Sequence, residues 1–324
     1  MAATSRTLSI DALLATTMDY YRPKMEDNIH LANPFFWWLS TNDRKKKQDG
    51  GANIIVPVMY GKNSTIRSYA GYDVLDTTPQ DGMTVAIYPW RQVAGSISIN
   101  RMEERKNSGK SAVMSLLGAK IKQAEEGMKE EINRQAFLDG TGNGGLDLFG
   151  LNLLVEDATA AAWLSDVAGI NRTETWWRNQ FTDAAGDSFA ALGLGHMRTM
   201  YNNCSKGNIH PDLILTTQAE YEKYEKVLAA NERFIDTKSG DAGFQNLLFK
   251  GSVIMYDSYC PTQTMFFLTS EYFEYTVDSQ TDLITTPFVR PANQDAKVAQ
   301  ILLYGNITIS NAARQGRIGN LDTA

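Results

Sequence analysis

Chemistry-bearing residues are scarce in this sequence. Two cysteines, Cys204 and Cys260, and three histidines, His30, His196 and His210, are all that 324 residues contain. The cysteines fit no zinc or redox spacing, which excludes a disulfide framework and points to a reducing compartment. The histidines form no H-x-x-x-H pair and lie near no carboxylate at ligand spacing. A metal triad is therefore not expected, and His196, Cys204 and His210 read as three unrelated residues. No window approaches ~18 consecutive apolar residues, which removes a transmembrane helix. The opening stretch lacks an apolar segment behind a basic flank and does not read as a secretory signal. Positive charge is in deficit too: 31 Lys and Arg stand against 37 Asp and Glu, a net -6, so composition gives no pull toward nucleic acid. What remains, with 43% hydrophobic and 21% charged residues, is a folded, soluble and cytoplasmic chain. It has room for two domains or one elaborated domain and needs no disulfide or metal staple.

Catalytic motifs are missing as well. Gly140, Gly142 and Gly145 satisfy a formal G-x-G-x-x-G, but the phosphate-cradling version needs a strand before it and a helix after it. Here a helix precedes, and an apolar stretch from Leu146 to Val155 follows. The glycines therefore meet the carbonyl end of the helix, which repels an anion, and they read as a helix stop and linker. No G-x-S-x-G elbow is present, and neither cysteine lies in a nucleophile setting. The carboxylate pairs Glu103–Glu104, Glu125–Glu126 and Glu130–Glu131 read as a solvated stripe on a long helix or at its start. No catalytic, cofactor-binding or metal-binding residue is assigned, and the chain is not expected to be an enzyme. Sequons at Asn63, Asn171 and Asn306 carry no weight where nothing glycosylates.

Structural signals are plentiful by contrast. Residues 1–49 read as an extension bearing the apolar cluster Pro34-Phe35-Phe36-Trp37-Trp38, which must be covered by this chain's own core or by a neighbouring subunit. The run Arg44-Lys45-Lys46-Lys47 that closes it reads as a solvated turn. From Gly50 the pattern predicts strands at Ile54–Tyr60, Thr65–Tyr69, Val85–Trp90 and Ser96–Asn100, arranged as a long two-stranded excursion. Pro57 and Pro89 place them at edges or bulges. Such a hairpin is marginal alone, so if it projects, its partner is another chain. Val113, Leu117, Ile121, Ala124, Met128 and Ile132 form one apolar stripe on a helix spanning 109–138, about 45 Å long at the usual rise. Gly118 and Gly127 within it predict a sheet crossing close to that face. Further on, helices are expected at Asp187–Asn203 and Gln218–Ala230. Strands are expected at Asp212–Thr216, Gly251–Asp257, Thr264–Leu268, Tyr272–Val277 and Lys297–Ile309. The class is α+β.

This order resembles the major capsid proteins of tailed bacteriophages, whose shared fold is the Hong Kong 97-type fold. Several stretches resemble one phage capsid subfamily: Gly71-Tyr-Asp, Ala86-Ile-Tyr-Pro-Trp-Arg-Gln92, Asn107 to Ala112 and Ala124-Glu125. Others are Asp139-Gly-Thr-Gly, Gly150-Leu, Gly169 to Thr173, Trp176-Trp177-Arg178-Asn179, Pro211 to Thr216, Phe249-Lys-Gly251, Tyr256-Asp257 and Gly305-Asn306. The resemblance implies an N-terminal arm at 1–49 and an extended hairpin, the E-loop, at 50–95. It implies a P-domain at 96–145 and 264–311 that includes the spine helix 109–138, an A-domain at 146–263 and a C-terminal tail at 312–324. It also implies self-assembly into pentamers and hexamers of an icosahedral shell enclosing a double-stranded DNA genome, without sequence-specific binding. The location would be the virion, after assembly in the host bacterial cytoplasm. A separate scaffolding protein is implied, because the chain starts almost directly at the arm, together with a portal and room for a decoration protein; no membrane is involved. Some relatives join subunits through an E-loop lysine and a P-domain asparagine, for which Lys62 with Asn293 or Asn306 are the candidates. Two other readings stay open: an encapsulin-like nanocompartment shell, and an α+β enzyme or carbohydrate-binding domain with Trp176 and Trp177 stacking on a ligand. For that tryptophan pair, core or interdomain packing is the simpler use.

Overall fold

The computed structural model describes residues 33–106, 116–157, 166–228, 247–292 and 294–321. Along them run α1 (Pro34–Thr41), β1 (Lys45–Gln48), β2 (Asn53–Met59), β3 (Met83–Pro89), β4 (Arg91–Asn100), α2 (Arg101–Lys106) and α3 (Leu116–Ala136). Next come β5 (Asp166–Val167), β6 (Ile170–Asn171), β7 (Gln180–Asp183), α4 (Leu194–Cys204), β8 (Leu213–Thr216), α5 (Gln218–Val227), β9 (Leu247–Phe249) and β10 (Ser252–Tyr256). β11 (Met265–Leu268), β12 (Phe273–Asp278), β13 (Ile284–Thr285), β14 (Ala296–Ile309) and β15 (Gly316–Gly319) complete the order. Contacts divide the chain into a larger unit, 33–92, 132–282 and 304 onward, and a smaller one holding 93–131 and 283–303.

The larger unit contains a six-stranded sheet in the order β7-β15-β11-β8-β10-β9. Every residue of β8 and β11 is buried with no alternation; Thr216, the one polar residue among them, donates its hydroxyl to the Thr264 carbonyl. Met197, Met200 and Tyr201 of α4 and Tyr221 and Tyr224 of α5 join Ile214, Ile254, Met265 and Phe267 of the sheet in one core cluster. A second focus is α1, whose aromatic run belongs to this chain's own core. Phe35 and Trp38 are buried, with ring centroids 6.2 and 6.3 Å from Phe273, and Phe36 lies 5.2 Å from Tyr275. Pro34 opens this helix at the position where a missing N–H costs nothing.

Four expectations are corrected. Lys45, Lys46 and Lys47 form no loose turn: they lie in β1, an edge strand parallel to β12 in which Lys45 faces Tyr275. The backbone carries this ladder and the lysines stay at the surface, Lys45 paired with Asp282 at 2.7 Å; lysines on an open edge also deter a further strand. Thr65–Tyr69 is no strand, since it lacks a pairing partner. Within the smaller unit the close approach to α3 does not use Gly127, where an added Cβ would meet nothing within 4 Å. It uses Gly95 of β4, where an added Cβ would stand 3.9 Å from Met128 Sδ. Finally, the expected tail 312–324 contains β15, seated between β7 and β11. Gly316 fits there because a Cβ would strike the sulfurs of Met200 and Cys204.

The expected long helix is present from Leu116 to Ala136, and 107–115 lie outside the described residues. Burial deepens along its stripe: Ile121 and Ala124 are half-buried, whereas Met128, Ile132 and Ala136 are buried. Its end is fixed by Gly140 at φ +74° and by Gly150, where a Cβ would strike the carbonyl oxygens of Gln135, Ala136 and Leu138. Asn133 Nδ2 donates to both carboxylate oxygens of Asp257, at 3.1 and 3.3 Å, and Tyr259 N–H donates to one of them at 2.9 Å. In the smaller unit Glu103 and Glu104 lie on α2 and not on the long helix. They pair with Lys120 at 2.8 Å and Lys297 at 2.7 Å.

Two outcomes follow from this burial. Ile132→Asp, which would bury an unpaired charge, should lower stability by about 3 kcal/mol or more, whereas Ile121→Asp should cost clearly less. Thermal melting of the two variants checks the gradient along the helix. Burial also raises the Asp257 pKa above the ordinary carboxylate range, so the folded state holds this proton more tightly than the unfolded state. The stability linked to it is full below the unfolded pKa and is lost as pH rises through the folded one. Asp257→Asn should therefore gain melting temperature relative to wild type as pH is raised from about 4 to 7, and a difference independent of pH would contradict the assignment.

Candidate assembly surface

Hairpins on a protein surface usually keep one apolar face. The β2–β3 pair carries two. Its antiparallel register sets Ile54 against Tyr88, Ile55 against Ile87, Val56 against Ala86, Pro57 against Val85, Val58 against Thr84 and Met59 against Met83. Even-numbered positions face inward: Ile54, Val58, Ala86 and Tyr88 are buried. The odd-numbered positions form a second apolar face that the described residues leave bare, with Ile55 at 60%, Met59 at 78% and Met83 at 76% exposure. Eleven of the eighteen large exposed hydrophobics among the described residues fall between Ile55 and Ile87. A concentration of that kind marks an interaction surface and not random scatter.

The inner face is anchored by Tyr88, whose hydroxyl donates to the Ile309 carbonyl at 2.7 Å and accepts from Ile309 N–H at 3.2 Å. Burial pushes the phenol pKa far above its ordinary value, so it remains a neutral donor. Tyr60 stacks on Trp176 at 4.9 Å, and Trp177 is buried beside it. The tryptophan pair therefore packs against the hairpin where β2 ends, beside Gly61. At the far end Gly61 and Gly82 cross so closely that a Cβ on Gly61 would lie 2.9 Å from Gly82 Cα. Beyond them, none of residues 61–82 is buried. Local bonds such as Asn63 to Thr65, Arg67 to the Val74 carbonyl and Ser64 to Gln80 shape this loop. It bares Ile66, Tyr69, Tyr72, Val74 and Leu75. Loops this long without regular structure are uncommon unless they serve a function.

The histidines, cysteines and glycines lie apart from this face. His196 Nε2 lies 2.8 Å from Asp187, His210 stacks on Tyr201 at 5.7 Å, and His30 lies outside the described residues. Both thiols are buried, with Cys204 pushed up to about 12 and Cys260 well above its ordinary value, so neither is a ready nucleophile. Gly142 lies against Asp147, and Gly145 takes the left-handed conformation of a helix stop. Among the described residues no cluster of His, Cys, Asp and Glu could hold a metal, and no helix is long and apolar enough to cross a membrane. Asn306 is fully buried and committed: its Oδ1 accepts from Phe149 and Ile307 N–H, and its Nδ2 donates to the Pro89 carbonyl, each at 2.9 Å. That removes it as an accessible partner for Lys62, which is exposed; Asn293 lies outside the described residues. The sequence reading did not single out Met59, Met83 and Val85. The available signal was apolar residues at both odd and even positions of two strands in one hairpin.

No protein-family model matches the chain, and no curated protein matches it in sequence. Solved structures do. A chain from the cyanophage A-1(L) capsid asymmetric unit is similar with a TM-score of 0.74 at 16% identity, covering 94% of this chain and 97% of that one. The holo-SrpI encapsulin complex of Synechococcus elongatus gives 0.61 at 10% identity, covering 98% and 96%, and the capsid of Myoviridae phage XM1 gives 0.57 at 10%, covering 94% and 97%. The fold is the Hong Kong 97-type capsid fold, as the order of elements in the sequence led one to expect.

Replacing 61–82 by a short Gly-Ser linker removes no buried residue, and loop closure changes by only about 0.6 kcal/mol per doubling of length. Circular dichroism and melting should match wild type while sedimentation shows loss of large assemblies. Global unfolding would instead make the loop part of the core.

Proposed function

We propose that this chain is the major capsid subunit of a tailed bacteriophage. Copies associate into pentamers and hexamers that close as an icosahedral shell around double-stranded DNA. The observation that carries this reading is the bare apolar face of the β2–β3 hairpin, borne on a chain with the capsid fold. A shell subunit needs such a face, because in the closed particle it is covered by the next copy. In the terms of the fold, 50–95 serves as the E-loop, 109–138 as the spine, 96–145 with 264–311 as the P-domain and 146–263 as the A-domain. A separate scaffolding protein, a portal and a decoration protein are the further partners, with assembly in the host cytoplasm and residence in the virion. The role is structural and non-enzymatic. The net charge of -6 suits a wall that confines DNA, since each phosphate it neutralised would add salt-dependent adhesion.

The likeness to an encapsulin favours one second reading, a shell around protein cargo. Sedimentation velocity and negative-stain microscopy of the full chain test both. Rings and closed particles are expected, and a chain that stays monomeric under all assembly conditions overturns both readings. Particles formed in cells with the phage's other proteins should contain DNA; a cargo enzyme in its place decides for the compartment.

A further inference from the structure

We infer that the neighbouring copy meets the hairpin on its outer face, by side-chain packing, and not along its edge by strand addition. The inference rests on the shell reading and concerns how its main contact is made.

Two hydrogen bonds fix the direction of the backbone groups. Tyr60 N–H donates to the Gly82 carbonyl at 2.9 Å, so the even-numbered residues of β2 bond inward to β3. The odd-numbered residues Ile55, Pro57 and Met59 therefore direct their backbone groups away from β3, along the free edge of β2. Pro57, in the middle of that edge, has no N–H to give, so an added strand would find its ladder interrupted at the centre. On the opposite edge, Ile87 N–H already donates to the Ala168 carbonyl at 2.9 Å. Both edges are thus impaired as templates.

The face has the opposite character. Three successive cross-strand pairs, Ile55 with Ile87, Pro57 with Val85 and Met59 with Met83, present six side chains without a charge among them. An apolar surface of this composition selects an apolar partner and offers nothing to a polyanion, so DNA is not its occupant. A second copy is the partner that a shell supplies. Met59 and Met83 suit such a contact, because their flexible thioethers adapt to a neighbour's contour.

The two methionines also supply the readout. In the free subunit both should oxidise readily with hydrogen peroxide. In particles formed by the full chain their oxidation should slow by about tenfold or more, whereas hydrogen exchange at the outward amides of Ile55 and Met59 should slow far less. The double variant Ile55→Ser with Ile87→Ser changes the face and leaves the edge intact. It should melt like wild type, because both side chains are exposed, and should form about tenfold fewer particles. Wild-type particle yield from the double variant overturns face docking. So does strong protection of the Ile55 and Met59 amides alongside reactive methionines. A wild-type chain that forms no particles overturns the shell reading itself, which keeps the two failures distinct.

Discussion

The Tyr88 hydroxyl, donating to and accepting from the backbone of Ile309 in a buried setting, decides which side of the hairpin belongs to this chain. In a two-stranded sheet the register has period two, so anchoring Tyr88 inward commits Ile54, Ala86 and Val58 to the same side. Every odd-numbered residue is then sent to the other. A slip of one position would bury the methionines and bare the tyrosine, whose hydroxyl would lose both partners. The bond carries modest net energy, yet it selects between two apolar faces that hydrophobicity alone cannot distinguish.

Polar groups do similar work elsewhere in the larger unit. Asp212 accepts from Trp38 Nε1 and from Ser270 N–H, which ties the aromatic helix α1 to the turn after β11. Arg172, almost fully buried, pairs with Glu156 at 2.6 Å and reaches the Leu153 carbonyl, so the chain around the single helical turn Leu151–Leu154 is held from within. Unpaired, such charges would cost several kcal/mol each; paired, they make alternative packings costly. These buried charges lie outside the loop beyond Gly61 and Gly82, none of whose residues is buried.

The central elements were legible because apolar patterning controls them. β11 is a continuous apolar run and β8 is one up to Thr216, α3 carries a helical stripe, and β14 is long and β-branched, so period and length suffice. Three features escaped for physical reasons. β1 is made of lysines, and its pairing with β12 uses only backbone, to which side-chain patterning is blind. β15 reads Gly-Arg-Ile-Gly, where glycine answers to the sulfurs of Met200 and Cys204 and arginine to Phe266 and Asp157, all distant in sequence. Thr65–Tyr69 alternates like a strand but has no ladder to join in a single chain. The bare face was not legible, because a strand pattern does not reveal which side is covered.

The place of β15 bears on the order of folding. Ribosomes deliver β7, β8 and β11 first, yet β15 lies between β7 and β11. The six-stranded sheet therefore cannot reach its final strand order while residues 316–319 are still to be made, and until then β7 and β11 each hold an open edge. Closing that gap joins Gly316 to Gln180 across well over a hundred residues, a long-range step that is slow in folding terms. The nascent chain thus carries a built-in delay. Its apolar hairpin has been synthesised well before the sheet can close, an interval in which premature association or chaperone capture competes with completion of the fold.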